Sequence, residues 1–287
     1  MEPVLKATLS PSRIADFTSC PLKFRYRTID RLPERPAAAA FRGTVVHKVL
    51  EDMFDLPREQ RTADWAKAAL RGTFDMLLEA EPEARFAVDE GLAWPDDDRS
   101  LTEPAAERFV ADLHAFVERY FVIEDPSVFD ATHREQYVHG QLDEDLWLHG
   151  FVDRIDVAPT GEVRIVDYKT GRKPGRAFED KALFQLRLYA LLWADTHDVP
   201  VRRLLMLYLG SGERLTHDPR PGEIEAARER VREVWTAMKA ANERADWPAK
   251  PSRLCDWCAY QGLCPARSSH VPTFDTVAIG LPEAPSE

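Results

Sequence analysis

Gly150-Phe151-Val152-Asp153-Arg154-Ile155-Asp156-Val157 and, after a Pro159-Thr160-Gly161 turn, Val163-Arg164-Ile165-Val166-Asp167-Tyr168-Lys169 decide the fold. Both runs are short, β-branched and bounded by turn residues, so they read as successive strands of a meander. Leu146-Trp147-Leu148 leads into the first of them, and an alternating run at 133–139, which contains Glu135, reads as the strand before it. Downstream, 178–193 reads as a helix and 204–209 as a further apolar strand. Ile224, Ala227, Val231, Val234, Met238 and Ala241 then recur at helical steps and mark one apolar face of a long helix.

Upstream the pattern is helical. Ser10-Pro11 supplies an N-cap and a proline at the first helical position. That helix stops at Cys20-Pro21. A second helix at 37–54 carries His47, and 62–120 is mostly helical around a Pro95-Asp96-Asp97-Asp98 break. Helices, a meander, a helix, a strand and a helix together predict an α/β or α+β core with helical decoration. No G-x-G-x-x-G follows a strand and no G-x-x-x-x-G-K-[ST] occurs, which argues against a Rossmann fold and an ATPase motor.

The 287 residues carry 38 Lys and Arg against 49 Asp and Glu, a net charge of −11. With 44% hydrophobic residues, this is globular rather than disordered composition. No apolar run approaches the roughly 18 to 20 residues of a membrane span. Met1-Glu2-Pro3-Val4-Leu5-Lys6 has no apolar signal core, so the expectation is a cytoplasmic protein without a membrane partner. The acidity is concentrated in one place: ten acidic residues fall between Asp75 and Glu103. Basic residues exceed acidic ones by four both in 6–35 and in 164–187, the latter including Arg172 and Lys173. Such local surpluses are what phosphate contacts require.

The chemistry centres on the meander. Asp153 and Asp167 lie about one hairpin apart and can meet across the sheet, while Asp167 and Lys169 share a face because the side-chain period is two. Two carboxylates with an ammonium group beside them suit Mg²⁺ or Mn²⁺ held for phosphodiester hydrolysis. Glu135 can join that acidic group or face solvent. His47 lies one turn after Gly43, and Gln185 and Tyr189 share a helix face where they can address a bound strand. A second feature is a set of four cysteines: Cys20 alone, then Cys255, Cys258 and Cys264 within ten residues. Four thiolates suit an iron–sulfur cluster or zinc, and unrelated buried thiols remain the third reading. Either metal would staple the N-terminal segment to the C-terminal one.

Taken in order, Gly43-x-x-x-His47, Gly150-x-x-Asp153-x-x-Asp156, Asp167-Tyr168-Lys169-Thr170 and Gln185-x-x-x-Tyr189 resemble the RecB-like branch of the PD-(D/E)XK nucleases. The cysteines resemble those of its iron–sulfur members, which include the AddB nuclease domain and CRISPR-associated RecB-like exonucleases. The resemblance runs from about Leu9 to Pro265. It implies a restriction-endonuclease-like core, a mixed central sheet flanked by helices. On it, 1–270 would be one nuclease domain with a helical insert at about 56–125, cysteine segments at about 10–30 and 250–267, and a loose tail at 271–287.

The same resemblance implies roles. His47, Asp153, Asp167 and the Tyr168 carbonyl would be metal ligands, and Lys169 the catalytic lysine. Gln185 and Tyr189 would hold DNA near the metal, and the four cysteines would hold a [4Fe–4S] cluster, with zinc as the other occupant. Val152 stands where the motif's name has proline, a common departure in this branch. The expected activity is a metal-dependent exonuclease on single-stranded DNA or DNA ends, in repair or recombination. Two alternatives stay open: a catalytically silent DNA-binding or scaffold subunit beside a helicase, and a nuclease of CRISPR adaptation.

Overall fold

The computed structural model of the chain describes residues 3–269 and 271–280. It opens on β1 (Val4–Lys6), β2 (Thr8–Leu9), α1 (Pro11–Ser19), α2 (Pro21–Phe24) and a π-turn at Arg25–Ile29. A helical layer follows, made of α3 (Ala38–Met53), α4 (Ala63–Ala80), the short α5 (Arg85–Val88) and α6 (Glu103–Ile123). The meander is β3 (His133–Asp143), β4 (Leu146–Val157) and β5 (Val163–Lys169). Then come α7 (Glu179–His197), β6 (Val201–Tyr208), β7 (Glu213–His217), α8 (Pro221–Glu243) and β8 (Ala278–Gly280).

Local chemistry sets the ends of these elements. The Ser10 hydroxyl accepts the Arg13 N–H, with Pro11 in the first turn of α1. Asp198, at φ 53°, ends α7 in the left-handed region. Within the main sheet the order is β2-β4-β5-β6-β7, with β3 along the other side of β4. β4 is long enough to serve two neighbours in turn: its start pairs in parallel with β2, and its end pairs antiparallel with β5. β5 and β6 run parallel, joined through α7. A parallel pair needs such a crossover, and beside the antiparallel pairs it makes the sheet mixed, as the resemblance implies.

Around β5 and β6 the sheet is buried on both faces. On one, α7 and α8 cover Leu148, Val152, Ile165 and Leu204. On the other, α3, α4 and α6 cover Val166, Tyr168, Leu205 and Leu207. Residues of β5 thus enter different cores, Val163 and Ile165 the first, Val166 and Tyr168 the second. A third, small cluster of Leu22, Tyr26 and Tyr260 holds the π-turn against the cysteine segment. Of the stretch 271–287 read as a loose tail, Ala278–Gly280 pair in parallel with β1, and 281–287 lie outside the described residues. β7 and β8 were not anticipated: each has too few residues to show a period.

Candidate active site

The β3–β4 ladder changes face at one point. Val152 enters the core on the α7 side, whereas Arg154, two residues on, lies among Phe54, Phe129 and Tyr168 on the α3 side. Residues two apart on a strand ordinarily share a face. The swivel falls on Glu135 and Asp153, which lie opposite each other between the pairs Arg134↔Arg154 and Gln136↔Val152. Glu135 takes φ 43°, a left-handed conformation uncommon for a residue with a side chain. The effect is to bring both carboxylates together at the rim of the sheet.

Asp153 also lies just past the last β4–β5 pair, Arg154↔Val166. There its carboxylate accepts the Tyr168 N–H at 2.6 Å, so the strands splay around it. His47, on α3, brings Nδ1 to 3.5 Å from Asp153. One ligand atom each from His47, Glu135 and Asp153 lies within 4.8 Å of the others, the one such His/Cys/Asp/Glu group among the described residues. Asp167 adjoins this group but is clamped: Lys169 Nζ lies 2.9 and 2.7 Å from its two oxygens. Gln185 donates to Asp167 at 3.1 Å and to the Tyr189 hydroxyl at 3.0 Å, and accepts from Lys169 at 3.2 Å.

The electrostatics describe an acidic cup. Burial and the neighbouring Asp153 carboxylate push Glu135 up to about 6. Burial, and then Asp153 against the pull of Lys169, raise Asp167 to about 6 as well. Burial alone would lift Asp153, but the hydrogen bond and charge of His47, with the Tyr168 N–H, bring it below the usual carboxylate range. For Lys169, burial is outweighed by Asp167 and Asp153, so its pKa rises and it remains an ammonium ion. An imidazole and carboxylate oxygens in one small cup are a donor set that hard divalent ions accept, and an ion there would relieve the repulsion between the acids.

Other sequence-predicted residues fall out differently. Tyr189 is buried beneath Gly150, where an added Cβ would meet its ring at 2.6 Å. It therefore positions Gln185 instead of meeting a strand itself. At Gly43 a Cβ would meet only Thr170 Oγ1, at an ordinary 3.7 Å. Asp156 is turned away from the cup, bonded to Arg154 and Arg164. Sequence reading missed this network: Arg154, 0% exposed, also bonds Glu124 and the Tyr168 hydroxyl, both at 2.8 Å. Arg172 is exposed, and Lys173 lies 3.3 Å from Glu179.

One cavity adjoins the cup and leads to a second. A groove of about 1240 Å³ runs from Lys169 and Gln185 between α1, α7 and α8 to Lys250, Ser252 and Leu254. At its far end Cys20, Cys255, Cys258 and Cys264 all line a second pocket with Tyr26 and Tyr260. Two backbone N–H groups point at sulfur there, Lys250 to Cys20 at 3.5 Å and Ser252 to Cys255 at 3.3 Å. No three of the cysteine sulfurs come within 4.8 Å of one another. No helix among the described residues is long and apolar enough to cross a membrane.

Residues 8–265 match the sequence model of the PD-(D/E)XK nuclease superfamily. The chain is 31% identical over 205 residues to the Gene 69 protein of Mycobacterium phage D29, covering 66% of this chain and 70% of that protein. It is 25% identical over 290 residues to the Gene 69 protein of Mycobacterium phage L5, covering 89% and 95%. Among solved structures, a Eubacterium rectale protein carrying an exonuclease assignment aligns with a TM-score of 0.44 and 12% identity, over 88% of this chain and 93% of that one.

Proposed function

The chain belongs to the PD-(D/E)XK nuclease superfamily, and from that premise we propose that it is a divalent-metal-dependent DNA exonuclease acting on single strands or on DNA ends. The observation that carries this reading is the cup itself: His47, Glu135 and Asp153 converge, with Asp167 and a protonated Lys169 alongside. His47, Asp153, Asp167 and the Tyr168 carbonyl would hold Mg²⁺ or Mn²⁺, with Glu135 in reach. A bound ion there polarises a phosphate oxygen and acidifies a water.

The chain's own groups do the rest. Lys169 keeps its proton, so it serves as a donor to a developing negative oxygen and not as a base. Gln185, held by Tyr189, fixes the Lys169–Asp167 pair in place. The swivel at Glu135 keeps the second carboxylate against Asp153 despite their repulsion. The preference for ends and single strands is what the resemblance to RecB-like exonucleases implies.

For the four cysteines the occupant we propose is a [4Fe–4S] cluster with a structural role. All four cysteines line one pocket, with backbone N–H groups directed at two of the sulfurs, which supports a single shared occupant. That it is a cluster, with zinc as the other candidate, rests on the resemblance. The setting we propose is DNA repair, beside a helicase. The test is degradation of end-labelled single-stranded DNA by protein purified without oxygen, with Mg²⁺ or Mn²⁺. Metal-dependent loss of label by wild type and none by Lys169→Ala is the expected result. Strand binding without cleavage by the wild type would instead favour the scaffold reading.

A further inference from the structure

Beyond the swivel, the β3–β4 ribbon leaves one face uncovered. Counting outward from Glu135 and Asp153, the opposed pairs on that face are Tyr137↔Phe151 and His139↔His149, and then Trp147 of β4. Phe151 is 56% exposed and Tyr137 43%, although both are large and apolar. Their ring centroids lie 5.1 Å apart, Tyr137 lies 5.2 Å from His139, and His139 stacks on Trp147 at 6.1 Å. The row is continuous with the metal cup, starting one strand repeat from it.

Two guanidinium groups stand at its outer end. Arg13 donates to the carbonyl of Thr8, the residue paired with Trp147, and its charge is felt at His149. Arg31 is exposed and close enough to Arg13 to lower its pKa after burial has done so. Among the described residues neither has a carboxylate within 4.0 Å. Most other arginines of the chain do, Arg27, Arg58, Arg71 and Arg99 among them.

We propose that this face is a binding platform for single-stranded DNA, its rings stacking on unpaired bases while Arg13 and Arg31 meet phosphates. The inference rests on the nuclease reading and adds to it where the strand lies. Flat π-surfaces tolerate any base, which suits an enzyme that degrades strands regardless of sequence. Successive positions on one strand face are about 6.6 Å apart, close to twice the ~3.4 Å rise between stacked bases, so a ring can sit between neighbouring bases. A duplex, whose bases are already stacked, offers no such partner. The positive end and the acidic metal cup bracket the platform, so a strand would be held at both.

Binding of fluorescent oligothymidylate, measured by anisotropy with Ca²⁺ in place of Mg²⁺, tests this. Phe151→Ala and Tyr137→Ala should each weaken binding by about tenfold or more, while Phe151→Trp, which keeps a ring, stays near wild type. Mn²⁺ affinity and melting temperature should be unchanged in all three, showing that the cup and the fold are intact. Alanine variants that bind within about twofold of wild type would overturn the platform and leave the face as a protein-docking surface. Equal losses on oligothymidylate and on blunt duplex would overturn stacking as the cause. A wild-type chain that neither binds nor cuts DNA would sink the nuclease reading itself, a separate failure.

Discussion

Arg154→Met removes a cation fully enclosed by the sheet and the α3 side of the core. The arginine bonds both oxygens of Glu124 at 2.8 and 2.9 Å, Asp156 at 3.0 Å and the Tyr168 hydroxyl at 2.8 Å, with Phe129 and Phe54 against the guanidinium. Methionine is of similar length but leaves two largely buried carboxylates facing each other. Breaking a buried ionic network from one side costs about 3–5 kcal/mol. Arg164 stays 2.7 Å from Asp156 and 3.6 Å from Glu124, which places the loss near the lower end, about 3 kcal/mol. At about 2–4 °C per kcal/mol for a chain of this size, the melting temperature should fall by about 6–12 °C. Thermal unfolding measures this, alongside Arg154→Met combined with Glu124→Gln and Asp156→Asn. The combined variant should recover much of the loss, because it leaves no buried carboxylate unpaired and the partly exposed Arg164 can turn to solvent. A single variant melting within about 1 °C of wild type, or a combined variant less stable than the single one, would refute the reasoning.

Other outcomes follow from the same geometry. Glu135 and Asp167 titrate near 6 without metal, so metal uptake must displace protons below that pH. Affinity for Mn²⁺ should therefore weaken steadily as pH falls from 7 toward 5, and a flat profile in a pH series of titrations would contradict the assignment. Gly150→Ala places a Cβ 2.6 Å from the Tyr189 ring, and overpacking of this kind costs about 1–3 kcal/mol. It should lower activity beyond the stability loss, because the displaced tyrosine releases Gln185; the check is the cleavage rate well below the melting transition. Cys20→Ser should lower both visible absorbance and melting temperature, because Cys20 ties α1 to the cysteine segment; an unchanged spectrum and melt would remove the cluster.

Much of this was legible in the sequence because it is carried by period. The meander, the β5–α7–β6 crossover and the apolar face of α8 all announce themselves in spacing, and Asp167-Tyr168-Lys169 fixes two site residues on one strand. What could not be read depends on departures from period. The swivel at Glu135 and Asp153 reverses the faces of β3 and β4 beyond it, so strict alternation misassigns Arg154 and leaves Glu135 ambiguous between cup and solvent. Asp156 stands in the motif beside Asp153, yet its charge is spent on Arg154 and Arg164, partners that only folding brings near. Gln185 and Tyr189 are correctly placed on one helix face, but which way that face turns is set by Gly150 on another element.

On the proposed reading this cup binds a divalent ion, and Lys169 acts on the reaction, not on the ion. Calorimetric titration of Mn²⁺ into wild type, Asp153→Asn and Lys169→Met tests it directly. Lys169 competes for the Asp167 oxygens, so Lys169→Met should bind Mn²⁺ at least as tightly as wild type while cleaving no DNA; Asp153→Asn should bind it far more weakly. Undiminished binding by Asp153→Asn, or cleavage by Lys169→Met, would contradict the account.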